Sequence, residues 1–93
     1  MRTKSCLAPH VPPQQPECEE LQWIPPRADE RRRVVDWTCD CRRLVYELCE
    51  SGGQAFIHRT MRHADVTIER QTHRMRPKEA RAVWAALLAG QMR

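Results

Sequence analysis

No stretch of this 93-residue sequence approaches the roughly 20 consecutive apolar residues that a membrane-spanning helix requires. The longest uncharged run near the end, residues 82–92, is about half that length. The opening MRTKSCLAPH carries cations but no apolar segment behind them, so no secretory signal is read there. Arg2 in place of glycine argues against myristoylation. The expectation is a cytoplasmic protein without membrane contact. Lysine is nearly missing too: of sixteen cations only Lys4 and Lys78 are lysine, a skew that suggests a GC-rich bacterial coding sequence. Glycine occurs three times, phenylalanine and tyrosine once each. No Gly-rich phosphate loop, H-E-x-x-H or catalytic carboxylate pair is present. An enzyme is therefore not expected, nor a cofactor, nor a small-molecule substrate.

Proline is abundant but confined. Six of the seven lie between Pro9 and Pro26. Residues 1–30 carry three cations and five anions, and polar proline-rich sequence buries too little apolar surface to offset chain entropy. They are read as a disordered or extended tail, with residues 31–93 as the folded domain. Leu21, Trp23 and Ile24 are the exception in the tail. They fit a segment docked on its own domain or, alternatively, on a partner. A domain of about 60 residues is marginal alone and would gain from dimerisation, a metal or a partner.

The fold class expected is α+β, a small antiparallel meander of three to four strands with one C-terminal amphipathic helix. Residues 34–39 and 44–49 are rich in β-branched and aromatic side chains and read as strands. Gly52-Gly53 is the strongest turn signal, residues 54–60 the third strand and 66–72 a weaker fourth. A four-residue loop at 40–43 would pair Trp37 with Tyr46 and Val35 with Leu48, placing them on one apolar face with Ala55 and Ile57. Val34, Asp36, Val45, Glu47, Cys49, Phe56 and His58 would share the other, with Asp36 opposite Glu47. A short helix over 28–37 is the alternative for the first segment. The final helix is marked by Pro77 at its start, Glu79 in its first turn, and Gly90 as its stop. Ala80, Val83, Trp84, Leu87 and Leu88 form one apolar stripe, which should lie on the sheet.

Five cysteines, an odd number, argue against a disulfide framework. No metal site is expected, because C-x-C is shorter than the usual two-to-four-residue ligand spacing. The weaker alternative joins Cys39 and Cys41 with Cys6 or Cys18. Cys49 and His58 would be diagonal neighbours at best, without an orienting third group, so no catalytic pair is read there.

The cations carry the functional expectation. Arg70, Arg74, Arg76, Lys78 and Arg81 gather before and within the first turns of the helix, where positive charge is locally unfavourable. Arg31, Arg32 and Arg33 open the first strand. Arginine suits phosphate because its planar fork donates two bonds. A solvated cationic face is the plain reading of these residues. The sharper one is an accessory or regulatory module contacting nucleic-acid phosphates through them. The alternative is a protein-interaction adaptor or small homodimer, using Trp23 and Ile24 of the tail with Phe56 and Val45 of the outer sheet face.

Overall fold

The computed structural model describes residues 8–27 and 31–93. Four strands form one antiparallel sheet in chain order: β1 (Arg33–Trp37), β2 (Leu44–Ser51), β3 (Gln54–His63) and β4 (Val66–Gln71). One helix follows, α1 (Pro77–Leu88). No helix among the described residues is long and apolar enough to cross a membrane.

Gly52 and Gly53 close the β2–β3 hairpin with φ of 59° and 80°, so that Ser51 faces Gln54. A two-residue turn with both φ positive matches the right-handed strand twist, and glycine adopts it without steric cost. This turn fixes the register that sets Leu48 opposite Ile57 and Cys49 opposite Phe56. Tyr46, Leu48, Ala55 and Ile57 thereby share the face on which α1 lies, and they bury Ala80, Trp84 and Leu87. Each such large side chain removed from water stabilises the fold by roughly 1.5–3 kcal/mol.

β1 departs from the expected register. Val34 faces Cys49, as a four-residue loop would require, but a bulge follows and Asp36 faces Leu48 while Trp37 faces Glu47. One inserted residue flips every later side chain. Trp37 therefore leaves the core face and is 52% exposed. Thr38 takes the place beside Tyr46 instead: its N–H donates to the Tyr46 carbonyl at 2.9 Å, and its Oγ1 accepts the Tyr46 N–H at 3.0 Å. Asp36 and Glu47 do not meet, and Glu47 pairs with Arg32 at 3.5 Å. The short-helix alternative fails over residues 33–37, which are strand; residues 28–30 lie outside the described part.

The described part of the proline-rich segment is extended and lies against the sheet and helix. The Cys39 N–H donates to the Pro9 carbonyl (2.8 Å), and Gln15 donates to Gly90 (2.9 Å). Glu19 and Leu21 then run beside Gln91 and Arg93, and Ile24 exchanges two 2.7 Å bonds with Gln71 at the end of β4. Val11, Leu21 and Trp23 pack on the core formed by sheet and helix. Trp23 lies 5.9 Å from the Tyr46 ring, with the Arg59 guanidinium 4.4 Å over its own ring. The segment is thus a strap completing the helix-side layer. The helix end accommodates it: Gly90 (φ 76°) closes a Schellman turn, with Gln91 N–H donating to Ala86 O and Gly90 N–H to Leu87 O. A Cβ at Gly90 would stand 2.6 Å from the Pro13 carbonyl, so glycine is needed both for φ and for the strap's approach.

Candidate functional site

The outer sheet face is assembled from alternate residues of β2, β3 and β4, and its centre is buried. Phe56 and Cys49 are fully buried, His58 and Gln71 are 1% exposed and Val45 8%. Arg74 lies with its guanidinium 3.7 Å from the centre of the Phe56 ring. From there a one-way hydrogen-bond chain runs through β4 to β3 and back to β4. Arg74 donates to Gln71 Oε1 (3.1 Å), which leaves the Gln71 amide to donate to His58 Nδ1 (3.2 Å). His58 Nε2 then carries the proton and donates to Glu69 Oε1 (2.7 Å). Both imidazole nitrogens are used within the fold. Cys49 is diagonal to His58, since Glu47 is the residue facing His58. Burial pushes its thiol up to about 11, against the opposing pull of Arg32. A thiol held protonated is a poor nucleophile.

This burial removes Phe56 and Val45 from the surface, although both occupy the outer face as their register demands. Trp23 and Ile24 are likewise engaged by the chain itself, one against Tyr46 and the other against Gln71.

The eight cations named from the sequence divide. Arg74 is committed to Phe56 and Gln71. Arg32 pairs with Glu47 on the outer face. Arg70 faces Arg59 across β3 and β4, and donates to the Glu69 carbonyl at 2.8 Å. The other five gather at one end of the sheet. Arg33 reaches Glu50 Oε1 at 2.7 Å and Arg81 reaches Glu50 Oε2 at 4.0 Å, so β1 and α1 converge on one carboxylate. Arg31 is tied to the same end by its carbonyl, which accepts the Ser51 hydroxyl at 2.7 Å. Arg76 and Lys78 flank Pro77 and are exposed. Arg76 is the N-cap residue and supplies no side-chain cap. The first-turn N–H groups therefore point outward with positive partial charge. A shallow cleft of about 250 Å³ lies there, lined by Arg33, Glu50, Pro77 and the Ser51–Gly53 turn. Five cations around Glu50 and Glu79 leave this rim positively charged. At the opposite end of the sheet Arg42, Arg43 and Arg93 line a second open cleft of about 540 Å³.

The thiols are placed differently from the expectation. Cys18 lies beside Gln14 and the Glu19 carbonyl and joins no ligand cluster among the described residues. Cys6 lies outside the described residues. The group that meets Cys39 and Cys41 is His10, which sequence reasoning did not select. No spacing in the sequence marks His10 as a neighbour of Cys39 and Cys41, and the proline content of its segment drew it into the tail.

No protein family, curated protein or solved structure matches this chain, so its own geometry carries the functional reading.

Proposed function

We propose that this chain is a small non-enzymatic binding module that contacts nucleic-acid phosphates through the cationic rim at the start of α1. The observation that carries the reading is the convergence of Arg33 and Arg81 on Glu50 beside an uncapped, cation-flanked helix N-terminus. Cations at that helix end each cost roughly 0.3–1 kcal/mol, a cost that an anionic ligand reverses. Arg31, Arg33, Arg76, Lys78 and Arg81 supply phosphate contacts, with low sequence preference because such contacts position rather than specify. Arg74 is not part of this footprint, because its removal would strip the cover from Phe56.

The clean test is Arg76→Ala/Lys78→Ala/Arg81→Ala, which leaves the packed residues intact. Duplex DNA should bind at least tenfold more weakly at low salt, with unchanged circular dichroism. Equal binding by this variant, with loss in Arg42→Ala/Arg43→Ala, would move the site to the other end of the sheet and refute the reading.

One observation favours a second reading, a protein adaptor or homodimer. β1 is an edge strand, and it exposes Trp37 (52%) and Val34 (37%). Exposed apolar side chains on an open edge invite strand addition. Concentration-dependent dimerisation lost in Trp37→Lys, together with no affinity for nucleic acid, is the outcome that reading expects.

A further inference from the structure

Three chain segments bring metal-ligating atoms together at the end of the sheet opposite the cationic rim. His10 comes from the strap, Cys39 from the end of the β1 extension and Cys41 from the turn that follows. Their ligand atoms all lie within 4.8 Å of one another, and His10 Nε2 is 3.1 Å from Cys41 Sγ. Tetrahedral zinc with bonds of about 2.0–2.3 Å needs ligand atoms about 3.5–3.8 Å apart. The widest separation exceeds that spacing by only about 1 Å.

The backbone holds the three in place. The Cys39 N–H donates to the carbonyl of Pro9, next to His10, and Thr38 is locked to Tyr46 by two hydrogen bonds. Cys39 is buried whereas His10 and Cys41 are exposed, so the cluster has a closed protein side and an open solvent side. The turn over residues 40–43 breaks strand alternation at Cys41, which lets a C-x-C pair converge despite its short spacing.

We propose that His10, Cys39 and Cys41 bind a zinc ion that staples the strap to the β1–β2 loop. Two sulfurs and one imidazole suit zinc among the common divalent ions. On binding, each thiol forms an S–Zn bond and releases its proton to water. His10 Nε2 gives its lone pair to the metal, and its Nδ1 carries the ring proton. Two thiolates balance the dipositive ion, so the half-buried site gains no net charge. Arg42, now 3.5 Å from His10 Nδ1, turns aside; the contact is long and exposed and costs little to lose. The fourth position takes water or a further side chain. The role is the one small domains commonly give a structural metal, adding stability that a limited core does not supply. A bare thiol–imidazole pair between Cys41 and His10 would need no second thiol, so the contribution of Cys39 separates the two chemistries.

The experiment titrates the reduced full chain with Co²⁺ and displaces it with Zn²⁺. The expected result is a tetrahedral visible spectrum with thiolate charge-transfer bands that saturates at one equivalent. Native mass spectrometry should then show one zinc per chain with loss of two protons. Cys39→Ser, Cys41→Ser and His10→Ala should each weaken binding at least tenfold, while Cys18→Ser leaves it unchanged. The two exposed positions keep the test valid should the Cys39 variant misfold. Zinc at a hundredfold excess over its Kd should raise the Tm by about 10–20 °C in the parent chain. That shift should vanish in Cys41→Ser. Absence of the tetrahedral spectrum, saturation well below one equivalent, or binding that survives in both Cys41→Ser and His10→Ala would overturn the proposal.

Discussion

Replacing Trp23 by alanine tests whether the proline-rich strap belongs to the core. Trp23 is half-buried, packed between the tilted Tyr46 ring and the Arg59 guanidinium. An aromatic side chain in such a position removes about 100–150 Å² from water, worth about 3 kcal/mol at about 25 cal/mol per Å². The Tyr46 ring and the Arg59 cation add about 1 kcal/mol together. Against this, Trp23 Nε1 is buried without a hydrogen-bond partner among the described residues, which returns about 1–2 kcal/mol. The net expected loss is about 2–3 kcal/mol. A domain of this size has a total stability of about 5–10 kcal/mol, so the change is large. It should lower the Tm by about 10–20 °C and the urea midpoint by about 1–2 M. Far-UV circular dichroism is the assay, since it is blind to the loss of one of three tryptophans as a fluorophore. Trp37→Ala is the control, because its ring is 52% exposed and should cost less than about 1 kcal/mol. Equal midpoints for Trp23→Ala and the parent chain would refute the packing role of the strap.

The remaining predictions concern the buried centre of the outer face. Phe56→Ala should cost about 3–5 kcal/mol, measured by urea unfolding, because it empties a fully buried site and strands Arg74. A near-neutral Phe56→Ala would mean that the outer face is open after all. Cys49 holds its proton until about pH 11 when folded, against an ordinary value of 9.0. Its contribution is therefore fully present below about pH 9 and lost as pH rises through about 11. The urea midpoint should fall across that window more steeply in the parent chain than in Cys49→Ala, a control needed because the Tyr46 hydroxyl is also pushed up by burial. A thiol reagent at pH 8 should label Cys49 only as fast as the whole domain unfolds, whereas rapid labelling of the native state would contradict its burial.

The parts of this molecule that read easily from sequence are those set by neighbours in the chain. Gly52-Gly53 dictates a two-residue turn through φ alone, and that turn carries the β2–β3 register with it. Pro77, the stripe through Trp84 and Leu87, and Gly90 mark the helix in the same local way. The bulge at Val35 was not legible, since nothing in VVDWTC says that Thr38 rather than Trp37 will cap Tyr46. That choice is made by hydrogen bonds closed across eight residues. The strap was legible at Leu21, Trp23 and Ile24, whose apolar side chains mark a docked segment, and not in the rest of its course. Proline content describes how a segment behaves alone, whereas Pro9, Gln15, Glu19 and Ile24 find backbone partners at Cys39, Gly90, Gln91 and Gln71. His10 was missed for this reason. Among the cations, sequence proximity grouped Arg74 with Arg76, but Met75 still pairs with Ala55 on the sheet whereas Arg76 is already the N-cap of α1. Arg74 then faces the sheet while Arg76 faces solvent.

The most direct test of the cationic rim is the salt dependence of duplex DNA binding, followed by fluorescence anisotropy on the reduced full chain. Five phosphate contacts predict a log–log slope of about −4 to −5. In the Arg76/Lys78/Arg81 triple alanine variant the slope should shallow by about 3. A flat response at low salt, or a steep slope that the triple variant leaves unchanged, would contradict the proposed binding surface.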